Sequence, residues 1–307
     1  MQQSSFEDAF ARSIEAARAA RREYAMQKTI GERFVVPRSQ KKGIHTILYR
    51  PLTNTVPGKL PVLFNMHGGA WVGGDAVFME SFCQMIANEI PAFVVNVNYT
   101  KADEEPFPYA TEEVADTVKY FIAHADQYGI DPEKMAVGGH SAGAHLAAGA
   151  AMMLKEDGIK LACQMLVYPC TDITADPDKP DDLMSVITRL FFPNGGNEHR
   201  YISPLRAKDE ELSGLSPALF VLCGPDELKP MGIAYAKRLI DRAVPVKIKE
   251  YPEALHGFLE VNRSDYPAGD ARQNPEQEAY CKDCEKYLVR ELQAFFAADG
   301  GFGARVE

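Results

Sequence analysis

A serine stands at the centre of Gly139-His140-Ser141-Ala142-Gly143, between the apolar run Met135–Gly138 and the Ala-rich segment Ala142–Lys155. A strand, a tight Gly-x-Ser-x-Gly turn and a helix would hold the Ser141 hydroxyl exposed as a nucleophile. Gly139 and Gly143 remove the side chains that would collide at such an elbow. A helix starting at Ala142 also aims backbone N–H groups at any anion that forms beside the serine. Three other patches carry groups that acyl transfer would need. His67-Gly68-Gly69-Ala70-Trp71 follows the strand-like run Pro61–Met66, and its glycines let backbone N–H groups approach a substrate oxygen closely. Asp226 follows the run Ala218–Cys223, and His256 follows Val246–Tyr251. A hydroxyl, an imidazole and a carboxylate, each at the exit of a strand, are the parts of nucleophilic catalysis with a general base.

The elements that must position these groups are legible as an alternation. Strand-like runs at Phe34–Val36 and Ile44–Arg50 read as an early antiparallel pair. Pro61–Met66 and Ala92–Tyr99 follow, separated by turn signals such as Pro57-Gly58 and by a helical stretch over Phe78–Ala87. Beyond them come a long amphipathic helix over Tyr109–Tyr128, the strand and helix around Ser141, a strand at Gln164–Tyr168, a strand at Ala218–Cys223, a helix over Met231–Ala243, a strand at Val246–Tyr251 and a closing helix over Pro275–Phe296. Asn274 before Pro275 suits an N-cap followed by a first helical position. Alternation of this kind calls for an α/β fold, with a mostly parallel central sheet and helices on both faces. Two segments interrupt it. Ser4–Lys28 places Phe6, Phe10, Ile14 and Ala17 three and four residues apart, a helix covering something apolar. Thr171–Pro204 crowds Asp, Pro, Gly and Asn around the apolar stretch Leu183–Phe192. Together, residues 1–30 and 171–204 read as a small helical cap on one domain that takes in residues 1–307, with a frayed Gly-rich end at Asp299–Glu307.

The bulk properties narrow the partners. A chain of 307 residues that is 46% hydrophobic can bury a large core, and a net charge of -10 argues against nucleic acid or an anionic membrane as partner. No signal-peptide-like core or membrane-length apolar run stands in the sequence, so an intracellular, cytoplasmic protein is the default. The six cysteines are too few and too scattered to staple a chain of this size. Cys281-x-x-Cys284 lies in a helical pattern without a second ligand pair, so reduced thiols are expected and no metal site.

Taken together, the four patches resemble the hormone-sensitive-lipase-like esterase branch of the α/β-hydrolases, over about residues 44–258. The chain order Ser, Asp, His is the α/β-hydrolase order. The stretch from Tyr99 to Pro108 is similar to the family's Tyr-Arg-Leu-Ala-Pro-Glu segment before a Phe-Pro pair, and Ser203-Pro204 to its Ser-Pro step. Among the chain's departures from the family wording, His140 stands where Asp is common before the nucleophile, Thr100 stands for the Arg, and Ala70 follows the second glycine. Gly-His-Ser-Ala-Gly-Ala-His with His-Gly-Gly-x-Trp is also similar to arylformamidases. Formyl-amide hydrolysis is therefore the rival to cleavage of short-chain acyl esters. A non-catalytic ligand-binding member of the fold is the third reading, and such members normally show a broken triad.

The resemblance implies Ser141 as nucleophile, His256 as base and Asp226 as its orienting acid, with an oxyanion hole from the N–H groups of Gly68, Gly69 and Ala142. No metal or organic cofactor is required. A small-molecule acyl ester is the expected partner, and a homodimer is the assembly to test. His67 reads as a brace for the oxyanion loop, His140 as packed under the turn, and His145 as a buried helix-face residue; His45, His124 and His199 have ordinary surface or strand readings. Glu227, Glu253 and Glu260, also near strand ends, read as solvated surface charges. Trp71, Phe191 and Phe192 are candidates for substrate binding, with loop anchoring and core packing as their competing roles.

Overall fold

A computed structural model describes residues 3–53, 58–174, 178, 183–192 and 194–298. The expectations for the turn at Pro57, for the Phe6 side chain, for much of 175–182 and for the end at 299–307 lie outside the described residues. The chain opens with α1 (Gln3–Met26), then β1 (Glu32–Val36), β2 (Ile44–Tyr49), β3 (Leu60–Met66), α2 (Glu80–Glu89), β4 (Phe93–Asn98), α3 (Tyr109–Ala123) and α4 (Ala125–Tyr128). It continues with β5 (Ile130–His140), α5 (Ala142–Glu156), β6 (Cys163–Val167), α6 (Leu183–Phe191) and α7 (Asp209–Leu212). The last part holds β7 (Ala218–Cys223), α8 (Lys229–Asp241), β8 (Val246–Tyr251), α9 (Phe258–Val261) and α10 (Pro275–Ala297).

The strands form one sheet in the order β1-β2-β4-β3-β5-β6-β7-β8. The β1–β2 and β2–β4 pairs are antiparallel and the rest parallel, as the early pair and the later alternation lead one to expect. The period-2 geometry of each strand splits its side chains between two cores. Val62, Phe64 and Met66 of β3 join Val114, Val118 and Phe121 of α3 and Leu146 of α5, while Leu63 joins Phe82 and Ile86 of α2 and Leu288 and Leu292 of α10. Central strands buried on both faces are therefore continuously apolar, which is why their sequences do not alternate.

The long helix over Tyr109–Tyr128 is broken. At His124 the backbone leaves helical geometry (φ -114°, ψ 20°), and Gly129 at φ 67° ends the second piece. His124 has an intrachain role here, its Nδ1–H donating to the Tyr120 carbonyl at 2.7 Å. Asn274 accepts a hydrogen bond from the Gln277 N–H and so caps α10 as its sequence suggests.

Register places the chemistry at one end of the sheet. Met66 pairs with Gly139 and His140 with Val167, so the loop after β3 and the elbow after β5 leave side by side. Cys223 pairs with Tyr251, which brings the turns after β7 and β8 together.

Candidate active site

At the elbow Ser141 has φ 53° and ψ -115°, a strained conformation for a residue with a Cβ. Its N–H donates to the Val167 carbonyl at 2.9 Å. A Cβ on Gly143 would stand 2.3 Å from the Met66 carbonyl oxygen, so only glycine lets the first turn of α5 pack onto the end of β3. His256 and Asp226 meet Ser141 here. His256 Nε2 lies 2.8 Å from Ser141 Oγ, and His256 Nδ1 lies 2.7 Å from Asp226 Oδ2. Because a carboxylate only accepts, Nδ1 carries the proton and Nε2 presents its lone pair to the serine hydroxyl. The second oxygen of Asp226 accepts the Leu228 N–H at 2.9 Å, which fixes the carboxylate's orientation.

Residues without a legible signature hold His256 in place. Arg272, paired with Asp270, donates from Nη1 to the His256 carbonyl at 2.7 Å. Gln277 of α10 accepts from the Leu255 N–H and donates to the Glu253 carbonyl. Glu227 and Glu253 are exposed, as expected of surface charges.

Facing this trio is the loop from His67 to Gly74. Gly69 lies at φ 123°, Ala70 at 47° and Trp71 at 63°, and the Gly69 carbonyl accepts from the N–H groups of Val72 and Gly73. Gly68 departs from the role expected of it. Its N–H already donates to Glu260 Oε1 at 2.8 Å and so is committed inside the protein. Among the described residues the N–H groups of Gly69, Ala70 and Ala142 have no protein acceptor. Gly69 and Ala70 line the cavity, and Ala142 is the first residue of α5, where an N–H is left without an intrahelical partner.

Glu260 also departs from the role expected of it. It is not a solvated charge. Its carboxylate turns inward to Gly68 and to the Tyr168 hydroxyl, which donates at 3.3 Å, and burial pushes its carboxyl above the usual range. His67 and His145 take the roles of brace and buried helix-face residue. His67 donates from Nδ1 to the Gly68 carbonyl at 2.6 Å and stacks on Tyr99. His145 Nδ1 accepts from the Trp71 indole N–H at 3.0 Å, and its Nε2–H donates to the Ile202 carbonyl at 2.7 Å; burial lowers it to about 4. His140 is fully buried against Phe82 with neither ring nitrogen hydrogen-bonded, and burial lowers it to about 3.

A cavity of about 1130 Å³ opens over Ser141 and His256. Tyr24 of α1 and Thr174 and Met184 from the 171–204 segment line it, together with Phe78, Met79, Leu228 and Met231. Trp71 lines the cavity and anchors its loop. Phe191 and Phe192 are not among the lining residues: Phe192 is buried with its ring 5.1 Å from that of Phe107, and Phe191 packs against the same core. The polar face of α1 is pinned at the rim, where Arg18 and Arg21 pair with Asp103 and Arg21 also donates to the Val72 carbonyl.

All six cysteines are free and buried, including the helical pair Cys281 and Cys284. Among the described residues no cluster of three or more His, Cys, Asp or Glu side chains could hold a metal ion, and no helix is long and apolar enough to cross a membrane.

Residues 63–260 match the alpha/beta hydrolase fold family. An AB hydrolase superfamily protein of Schizosaccharomyces pombe is 31% identical over 251 residues, covering 75% of this chain and 74% of its own. Esterase LipI of Mycobacterium tuberculosis is 30% identical over 227 residues, covering 70% and 71%. Among solved structures, an esterase of Pyrobaculum calidifontis superposes with a TM-score of 0.74 at 27% identity, covering 97% of this chain and 95% of its own. With the elbow after β5, the remaining groups after β7 and β8 and this breadth of similarity, the chain belongs to the alpha/beta hydrolase fold family, in the branch its esterase relatives occupy.

Proposed function

We propose that this protein is a serine hydrolase that cleaves short-chain acyl esters through an acyl-enzyme. The observation that carries the reading is the unbroken run from Asp226 through His256 to Ser141, with contacts of 2.7 and 2.8 Å, beside the uncommitted N–H groups of the His67–Gly74 loop. Ser141 Oγ attacks the acyl carbonyl while His256 Nε2 takes its proton. The Asp226 carboxylate keeps the imidazole in the required tautomer and stabilises the imidazolium. The N–H groups of Gly69, Ala70 and Ala142 receive the developing oxyanion, and each such donor is worth on the order of 3 kcal/mol in the barrier. His256 then returns its proton to the leaving alcohol, and water repeats the sequence on the acyl-enzyme. The segments carrying Tyr24 and Met184 act as a cap whose apolar side chains receive the parts of the substrate that do not react.

Ser141→Ala tests the reading. Turnover of a short p-nitrophenyl ester is expected to fall by about 10⁴-fold or more with the fold intact, and a serine-reactive phosphonate is expected to label the parent protein stoichiometrically at Ser141 and the variant not at all. Retained turnover would remove the proposal. A parallel rate panel of acetyl, butyryl and longer esters with an N-formyl aryl amide sets the substrate class, and preference for the formyl amide would replace ester by amide hydrolysis.

A further inference from the structure

Lys101 is an unusual residue to find beneath an oxyanion loop. Only 4% exposed, it donates from Nζ to the Tyr99 carbonyl at 2.8 Å, to Asn98 Oδ1 at 3.0 Å and to His67 Nε2 at 3.1 Å, and its ammonium lies 4.2 Å from the centre of the Tyr99 ring. In the family segment that the stretch from Tyr99 resembles, the corresponding position is Leu, so an apolar residue satisfies the fold there.

The donors and acceptors fix a direction along the chain of contacts. An ammonium only donates, so His67 Nε2 accepts; a carbonyl only accepts, so His67 Nδ1 carries the proton that it shares with the Gly68 oxygen. His67 is therefore neutral, and burial together with the neighbouring Lys101 charge holds its imidazole well below the usual range. The Gly68 carbonyl belongs to the same peptide unit as the Gly69 N–H. Hydrogen bonds in series polarise one another, most of all where a full charge stands at one end and the surroundings are dry.

We infer that Lys101 is a positioning residue for oxyanion stabilisation: its charge acts through His67 and the Gly68–Gly69 peptide to orient and polarise the Gly69 N–H. The inference rests on the reading of Gly69 as an oxyanion donor. Charged groups from several elements act on Lys101. Asp75, before the 3-10 turn Ala76–Met79, Glu113 of α3 and Glu104 of its own loop favour the ammonium, while Arg21 of α1 opposes it. Burial outweighs them and brings the amine down to about 8. The ammonium is thus present at neutral pH and lost as pH rises through that value. The unprotonated imidazole that serves as base persists as pH rises, so a Ser-His-Asp site alone gives no alkaline decline.

The test measures kcat and KM for a short p-nitrophenyl ester from neutral pH to about pH 10, corrected for spontaneous hydrolysis. The wild type, Lys101→Met and Lys101→Gln are compared, the last keeping a donor without the charge. Wild-type kcat is expected to decline about three- to tenfold across the alkaline range. Both variants are expected to start at the lowered kcat and stay level, Gln above Met, with KM within about twofold of wild type. If Lys101→Met does not fold, the Gln variant and the wild-type profile decide. A wild-type kcat that stays level to pH 10, or a folded Gln variant with wild-type kcat, overturns the inference. Ser141→Ala in the same assay separates the two failures. If it is inactive, only the role of Lys101 falls; if it is active, the underlying reading falls as well.

Discussion

The two walls of the cleft are built in different ways. The wall that carries Asp226 and His256 is set mainly by nearby chain: both lie a few residues past the paired ends of β7 and β8, Asp226 is tied down by the N–H two residues on, and Arg272 and Gln277 brace the turn from 16 to 24 residues further along. The wall formed by the His67–Gly74 loop is assembled from more distant partners. Gly68 meets Glu260 from α9, Trp71 meets His145 from α5, and His67 meets Lys101 from the segment after β4. Strain is concentrated in the second wall, where Ala70 and Trp71, both carrying a Cβ, have positive φ. A loop in such a conformation persists only when its surroundings over-determine it, and these buried polar contacts supply that restraint. One wall thus carries the His256 imidazole beside Ser141, and the other holds uncommitted backbone N–H groups still.

The difference predicts how each wall fails. Asp226→Asn leaves the local turn and the fold in place but offers His256 Nδ1 a partner that favours the wrong tautomer. The expected loss is about 10⁴-fold in kcat, read by steady-state kinetics. A loss below about tenfold would mean that His256 does not depend on this carboxylate. Glu260→Ala attacks the other wall while leaving every member of the trio in the sequence. Deprived of its acceptor, the Gly68 N–H must turn elsewhere, and a shift of the neighbouring donors is expected to cost about tenfold in kcat, near 1.4 kcal/mol. Glu260→Gln keeps an acceptor oxygen and should recover most of that loss. Equal kcat in the Ala variant and the wild type would show that Glu260 does not hold the loop.

The same division explains what the sequence revealed. Ser141, Asp226 and His256 stand out because a strand, a short turn and a reactive residue follow one another in the chain, and parallel strands align their exits. The central strands are legible for the same reason, as buried apolar runs between turn signals. The inward role of Glu260 is not legible, because its position near a strand end says nothing of a glycine amide 192 residues away. Nor is the commitment of Gly68, since a His-Gly-Gly run does not tell which amide is already bonded. Lys101 carried only the signal of a lysine in an otherwise family-like stretch. Phe191 and Phe192 are candidates for substrate binding on hydrophobicity alone, a property that core and pocket share. The break at His124 went unseen because the apolar spacing continues across it.

His140 and His145 lie on either side of Ser141 in the chain and sharpen the comparison on a smaller scale. His145 belongs to the wall of the His67–Gly74 loop, with both ring nitrogens bonded; His140, under the elbow, is bonded at neither. A buried polar ring without partners contributes packing and nothing else, so His140→Met should not cost stability at pH 8 and should gain about 1 kcal/mol. The acid side separates the two proteins further. With the folded value of His140 depressed to about 3, its neutral form adds stability fully above the unfolded value near 6.5, and this is lost as pH falls toward 3. At pH 5 that loss amounts to about 2 kcal/mol in the wild type and is absent from the variant, whereas the contribution of His145 is common to both and cancels. Urea unfolding at the two pH values measures the difference directly. The advantage of His140→Met should widen on acidification, and an equal drop in both proteins would mean that the ring under the elbow finds a hydrogen-bond partner after all.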